Sequence, residues 1–282
     1  YTTLFRSVLR VFDRHGERNS RHKAHMKFLI QKIGFEEFMN LVNAETKALK
    51  NHSFAIADAS AWEVAEPTLL ADIAAPETAE YQTWIDTNTF EQKQAGFHAV
   101  YVRILNGNIS SDTSRSLIDA LKGYIGDDIR ITINQGLMLK FVPTANLPYV
   151  FQVLNAHGLA APGANSIANI TACPGTDTCN LAISDSTNIT SKLEQVINEE
   201  FPALIHDSAM KIKISGCMNA CGQHSMASIG FHGSSLKAAD KRVLPALQVL
   251  IGGATLGNGD GRIADKVIKV PSKRGPQVLR TL

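Results

Sequence analysis

All four cysteines of the chain lie in two tight pairs, Cys173-Pro-Gly-Thr-Asp-Thr-Cys179 and Cys217-Met-Asn-Ala-Cys221. Any fold must bring these two loops together or leave four thiols idle. A disulfide framework is disfavoured, because such frameworks concentrate in small secreted domains and four cysteines in 282 residues are sparse. Structural zinc loops space their cysteines by about two to four residues, whereas five residues separate the first pair. Iron–sulfur ligation by four thiolates tolerates wider spacing. Pro174, Gly175, Gly216 and Gly222 keep the backbone close and irregular beside the cysteines, so amide N–H groups can point at sulfur. The plainer alternative is a set of four buried, inert cysteines.

The residues around these pairs carry a family resemblance. Thr171-Ala-Cys173-Pro-Gly-Thr-Asp-Thr-Cys179-Asn-Leu-Ala and Lys213-Ile-Ser-Gly-Cys217-Met-Asn-Ala-Cys221-Gly-Gln closely resemble the C-x5-C and C-x3-C signatures of the sirohaem nitrite and sulfite reductases. The resemblance implies a [4Fe–4S] cluster on Cys173, Cys179, Cys217 and Cys221. It also implies that Cys221 bridges to the sirohaem iron as its axial ligand.

With 44% hydrophobic and 19% charged residues the chain reads as ordinary globular protein, long enough for one to three domains. No apolar run approaches a membrane span and no secretory signal is visible, so a cytoplasmic protein is expected. The sequons at Asn51, Asn108, Asn169 and Asn188 then read as chance matches. Tyr1–Ser7 looks like a translated sequencing adapter and is set aside. The end at Pro276–Leu282 reads as the first turns of a helix with no stop signal. The expectation is therefore an internal portion of a longer reductase.

Residues 8–50 are expected to be a remnant of the first sirohaem-binding lobe. Arg10, Arg14, Arg18, Arg21, Lys23, Lys27 and Lys32 face only Asp13 and Glu17 across residues 8–32. Such a run is a solvated face, a nucleic-acid patch or an anion pocket. No recognition-helix motif or aromatic interleaving supports the second. The segment from Asn19 to Gly34 resembles the one in which two basic residues of the reductases reach the substrate anion on the distal side of the haem. The resemblance implies that His25 and Lys27 fill that catalytic role. Family members usually carry Lys or Arg where this chain has His25, which titrates near neutral pH; a plain surface imidazole is the competing reading. Lys27 would give a small oxyanion a fixed positive donor and a proton source. Apolar residues from Phe28 to Leu41 predict two short helices broken at Gly34.

Between Lys50 and Lys93 there is no Lys or Arg, and Pro67 and Pro76 punctuate the stretch, so 51–92 reads as an acidic linker pinned by Trp62 and Trp84. Residues 93–158 read as β-α-β-α. Val100, Val102 and Ile104 form a strand, Ser110 or Ser111 caps a helix, Ile129 to Phe141 form a strand broken at Gly136, and Thr144 caps a last helix. That order predicts a parallel pair with a right-handed crossover, half of a ferredoxin-like sandwich that needs a partner repeat. Asn134-Gln135 resembles a family element facing the sirohaem edge, with a polar bulge as the alternative.

Residues 159–282 are expected to form an α/β [4Fe–4S] and sirohaem-binding domain. The whole is an α+β chain in which a ferredoxin-like half-repeat precedes that domain. Leu193, Val196 and Ile197 give a helix ended by Pro202, and Ile212 and Ile214 give a strand delivering Cys217. Amide side chains of Asn219 and Gln223 could donate to cluster sulfur or to a tetrapyrrole carboxylate. His224 reads as a residue behind the ligands or a packing residue rather than a ligand, since four thiolates already satisfy a cluster. The calcium-like Asn258-Gly-Asp260-Gly261 fails because Leu256 and Val267 occupy positions that need acids. Lys266, Lys269, Lys273 and Arg274 suit a carboxylate-rich macrocycle or solvent.

No G-x-G-x-x-G fingerprint occurs, so electrons must come from an external ferredoxin-type carrier. The resulting expectation is a monomeric portion of an assimilatory ferredoxin-dependent sulfite or nitrite reductase, poorly active alone and binding neither nucleic acid nor membrane. The alternative is an iron–sulfur electron-transfer module without sirohaem.

Overall fold

The computed structural model describes residues 2–20, 23–50, 66–70, 73–257 and 260–282. Arg21, Trp62, Asn258 and Gly259 lie outside the described residues. The chain divides into two compact units, 1–62 and 63–282. Among the described residues no helix is long and apolar enough to cross a membrane.

The first unit contains three helices, α1 (Thr2–His15), α2 (Met26–Ile33) and α3 (Phe35–Ala48). Val11, Leu29, Phe38 and Val42 form its core. The predicted break is Gly34, at φ 84°, where a residue without Cβ turns the chain between α2 and α3. Residues 2–7, set aside on sequence grounds, are the first turns of α1; Ser7 is buried there and accepts from Thr46 Oγ1 at 2.9 Å. Arg10 and Arg14 both pair with Glu45, so part of the basic run is neutralised within its own unit.

The second unit begins with α4 (Ala79–Asn88) and the strand β1 (Thr89–Glu91), both inside the expected linker. Trp84 is fully buried and stacks near Tyr81 and Phe151, with ring centroids 6.1 and 5.2 Å away. It belongs to the core of the half-repeat rather than pinning a strap. Next come β2 (Phe97–Val102), α5 (Ser111–Leu121), β3 (Ile129–Ile131), β4 (Leu137–Pro143) and α6 (Leu147–Ala156). Ser110 caps α5, accepting the Thr113 N–H at 3.0 Å. Thr144 does not cap α6; its hydroxyl bonds to Gly96 O and Asn146 occupies the cap position.

The sheet order is β1-β2-β4-β3, with every pair antiparallel. This corrects the expected parallel pair. Residues 129–143 double back as a hairpin through Thr132–Gly136, where Thr132 N bonds to Gly136 O and Gln135 takes φ 63°. Period-2 alternation is identical whether a strand runs straight or folds back, so the pattern alone hides the turn. β2 and β3 still run the same way with α5 between them, but β4 is inserted between the two, the split β-α-β arrangement of ferredoxin-like sheets. Ile129 and Ile131 consequently stay exposed on the edge strand.

The last part holds β5 (Thr171–Ala172), α7 (Ser186–Glu200), β6 (Ile212–Ser215), β7 (Ile229–Lys237), β8 (Val243–Ile251), the hairpin β9 (Ala254–Gly257) and β10 (Asp260–Arg262), β11 (Asp265–Pro271) and α8 (Gly275–Thr281). Its main sheet runs β11-β8-β7-β6-β5, parallel from β5 to β7 and antiparallel beyond. Ile212, Ile214, Ile229 and Phe231 pack one face into a core with Leu193 and Ile197 of α7 and Leu279 of α8. Strand alternation sends Thr171, Lys213, Ser215, Gly230 and His232 to the other face. That polar face is where the cysteine loops lie.

Candidate metal centre

The two cysteine loops are joined through backbone. Cys173 N donates to Ile214 O at 3.1 Å, and Gly216 N donates to Cys173 Sγ at 3.0 Å. Ser186 Oγ, at the start of α7, donates to Cys173 O at 2.7 Å and so ties the first loop to the helix. A Cβ on Gly216 would stand 2.7 Å from Gly175 Cα, so the loops touch at two glycines, one from each. The second loop folds back over β6, with Gly222 N donating to Ser215 Oγ at 3.0 Å.

All four thiols are free and share one electrostatic field. Burial pushes the Cys221 thiol up, and Cys173, Cys217 and Cys179 each push it further. Cys217 is buried, Cys173 and Cys179 are half-buried, and Cys221 is exposed. Among the described residues no group of three or more His, Cys, Asp or Glu side chains stands out as able to hold a metal ion. Four thiols on two touching loops supply the donor set of a multi-iron cluster, in which each thiolate binds its own iron. The donor set, the amide on Cys173 sulfur and the outward Cys221 all fit that group.

Two matches to family models decide where this geometry belongs. Residues 1–50 and 163–282 match the nitrite and sulphite reductase 4Fe-4S domain, and residues 90–157 match the nitrite/sulfite reductase ferredoxin-like half domain. The chain belongs to the nitrite and sulphite reductase family. A ferredoxin–nitrite reductase of Synechococcus elongatus is 25% identical over 280 residues, covering 99% of this chain and 49% of that protein. A ferredoxin-dependent sulfite reductase of Mycobacterium tuberculosis is 27% identical over 254 residues, covering 89% and 42%. The structure of the M. tuberculosis NirA protein superposes with a TM-score of 0.67 at 23% identity, over 99% of this chain and 48% of that one, and so shares its fold. The chain spans about half the length of the curated relatives it matches.

In this reductase-family chain the other expected site residues have the following surroundings. Gln135 lies beside the first cysteine loop, but both ends of its amide are used there. Nε2 donates to Ala172 O at 2.7 Å and Oε1 accepts from Ala172 N at 2.8 Å, one residue before Cys173. Asn134 donates to Asn165 Oδ1 and accepts from Thr171 Oγ1. These two amides clamp the half-repeat onto β5, and the hydrogen bonds they make are to protein. Gln223, at φ 60°, accepts from Lys213 Nζ at 3.2 Å, whereas Asn219 is exposed at the tip of the second loop. His25 and Lys27 are exposed residues of the first unit, with Lys27 Nζ 5.3 Å from the Phe28 ring centroid. The basic cleft of that unit, about 680 Å³, is lined instead by His15, Arg18, Lys23 and Lys32 with Glu17.

Sequence reading missed Lys213, Thr171, Ser186 and His232. His224 packs as expected, its ring 4.8 Å from that of His232, and its Nδ1 is buried without a hydrogen-bond partner. Burial, then His232 and Lys266, pulls the His224 pKa down to about 4. An unfolded histidine binds its proton near pH 6.5, so stability is complete above that pH and is lost as pH falls towards 4. Chemical denaturation of the holoprotein at pH 7 and pH 5 is expected to show about 2 kcal/mol more loss in the parent than in His224→Gln, at ~1.4 kcal/mol per pH unit. Equal losses would contradict the buried, neutral imidazole.

Proposed function

We propose that this chain is the part of a ferredoxin-dependent sulfite or nitrite reductase that holds the [4Fe–4S] cluster and presents it to a sirohaem, for six-electron reduction of a small oxyanion. The observation that carries this reading is the contact of the two cysteine loops, joined by the Gly216 N–H on Cys173 sulfur and the Cys173 N–H on Ile214 O, with Cys221 the exposed thiol of the four. When bound, the two cofactors supply one-electron transfer to the anion.

The chain's own residues have separate tasks. The four thiolates would hold the iron, and Cys221, the exposed one, is proposed as the residue facing the sirohaem. Gly216 N–H stabilises negative charge on Cys173 sulfur and holds it in place. Ser186, Ser215 and Gln135 fix the loop backbones. Asn219, exposed on the second loop, is proposed to donate to cofactor. Gln223 is proposed to orient that loop through Lys213. Asn134 and Gln135 are proposed to face the sirohaem edge and, through their bonds to Thr171 and Ala172, to hold β5 in place.

His25 and Lys27 are proposed to give the oxyanion positive donors and protons. Their exposure, and the lack of an ion pair to either among the described residues, support that role. Electrons would come from a ferredoxin-type donor to a monomeric, cytoplasmic enzyme.

The ultraviolet–visible spectrum of the purified holoprotein tests the reading. A tetrapyrrole Soret and alpha band beside cluster absorption is expected. Cluster absorption alone would point to an electron carrier and contradict it. Steady-state kinetics on sulfite and nitrite with reduced ferredoxin then identify the substrate.

A further inference from the structure

Lys213 is a buried ammonium that the chemistry above does not use as a charge. It sits in the middle of β6, paired in register with Thr171 of β5 and Gly230 of β7, and is 9% exposed. Its Nζ lies 3.3 Å from Thr171 Oγ1 and 3.2 Å from Gln223 Oε1, both neutral acceptors. Among the described residues no carboxylate pairs with it. The charge that faces it is another cation, Lys211, and burial and that cation both pull its pKa down. An ammonium out of water with no counter-charge is costly, by several kcal/mol on general grounds. An anion bound on this face of the sheet would offset that cost.

The surroundings say where that anion is. Thr171 stands two residues before Cys173, Gln223 two residues after Cys221, and Lys213 four residues before Cys217. The ammonium therefore bridges the bases of both cysteine loops. It lies on the polar face of the sheet, beside Ser215, whose hydroxyl takes the Gly222 N–H. Thr171 is held in turn by Asn134, and Asn134 by Asn165, so the ammonium is fixed rather than mobile.

We infer that Lys213 is a positioning residue whose buried positive charge is the fixed counter-charge of the cluster bound by the four cysteines, favouring its reduced form. The step is one electron from the ferredoxin-type donor to the cluster, with no bond made or broken and no proton moved. Four thiolates leave the cluster negative, and reduction adds one more negative charge, so a nearby cation stabilises the reduced state more than the oxidised one. The inference rests on the cluster reading above.

The test uses the full-length holoenzyme with Lys213→Met, Lys213→Gln and Lys213→Arg, titrated with reductant while the cluster is followed by electron paramagnetic resonance. At a potential fixed at the wild-type midpoint, the reduced-to-oxidised ratio is expected to fall about tenfold in the Met and Gln variants, about 59 mV for a one-electron couple. The Arg variant, which keeps the charge, is expected to stay within about twofold of wild type on the same scale. An unchanged ratio in the neutral variants would overturn the inference, as would equal shifts in Arg and Met. So would loss of sirohaem with an unshifted cluster, which would make a macrocycle carboxylate the partner. Should the neutral variants assemble no cluster, recovery of it in Lys213→Arg supports the charge, and failure in all three overturns it in favour of packing. A wild-type protein with no cluster signal would instead defeat the cluster reading itself.

Discussion

Gly222→Ala is expected to leave a protein that folds its sheet but retains almost no iron. A Cβ at that position would stand 1.9 Å from Ile214 O and 3.1 Å from Cys173 N. Both obstacles are backbone, and Ile214 O is already engaged by the Cys173 N–H that joins the two loops. Neither atom can rotate away as a side-chain tip could. The Cys221 loop must lift off β6, which breaks the Gly222 N–H bond to Ser215 and carries Cys221 away from the other three thiols. Overpacking of this kind costs about 1–3 kcal/mol, and an obstacle inside the sheet puts this site at the upper end. Iron content per chain and a thermal melt check the two halves of the expectation. Full iron loading in the alanine variant would mean that the loop does not sit where described.

The second large effect is at the seam between the half-repeat and the cluster domain. Arg103, just past β2, donates to Pro162 O, to Ala168 O at 2.6 Å and to Glu194 Oε2 of α7 at 3.1 Å. Glu194 Oε1 also accepts from Ile170 N at 3.0 Å, directly before β5. Both side chains are about nine-tenths buried. Burial pushes the Glu194 carboxyl up and pulls Arg103 down, and their mutual attraction and hydrogen bonds oppose each shift only in part. Desolvation thus outweighs attraction, as is common for buried pairs.

Removing one partner strands the other charge together with two backbone carbonyls. Arg103→Met is therefore expected to destabilise by about 3–5 kcal/mol in urea or guanidinium unfolding. The double variant Arg103→Met/Glu194→Leu is expected to recover much of that loss, because no charge is left unpaired. A single variant within about 1 kcal/mol of the parent would show that water reaches the pair.

Similar polar bonds complete the seam. Asn88 donates to Tyr101 O and Ala161 O and accepts from Ala164 N, while Thr87 Oγ1 accepts from Gly163 N. None of this was legible in the sequence, because an amide or a guanidinium announces a polar partner but not which distant segment supplies it. The cysteine pairs were legible because ligand chemistry fixes residue type and spacing together. Two of the three helices of the first unit were legible too, since Gly34 interrupts a clear 3.6-residue pattern, whereas α1 was hidden in a basic run. The sheet of the half-repeat was half read. Its strands were found, but the hairpin at Thr132–Gly136 was not, and β1 was hidden in an acidic stretch whose composition suggested a linker although Trp84 in α4 anchors the core beside it. Lys213 was overlooked for a different reason: alternation with Ile212 and Ile214 looks like a solvated strand face until the Cys221 loop is seen to cover it.

Acid-labile sulfide measured together with iron on the anaerobically purified full-length protein tests the central claim most directly. About four sulfides per chain, lost when Cys173 or Cys217 is replaced by serine, are predicted for a cluster held by four thiolates. A sulfide-free protein carrying zinc, or one with its cysteines oxidised to disulfides, would contradict it.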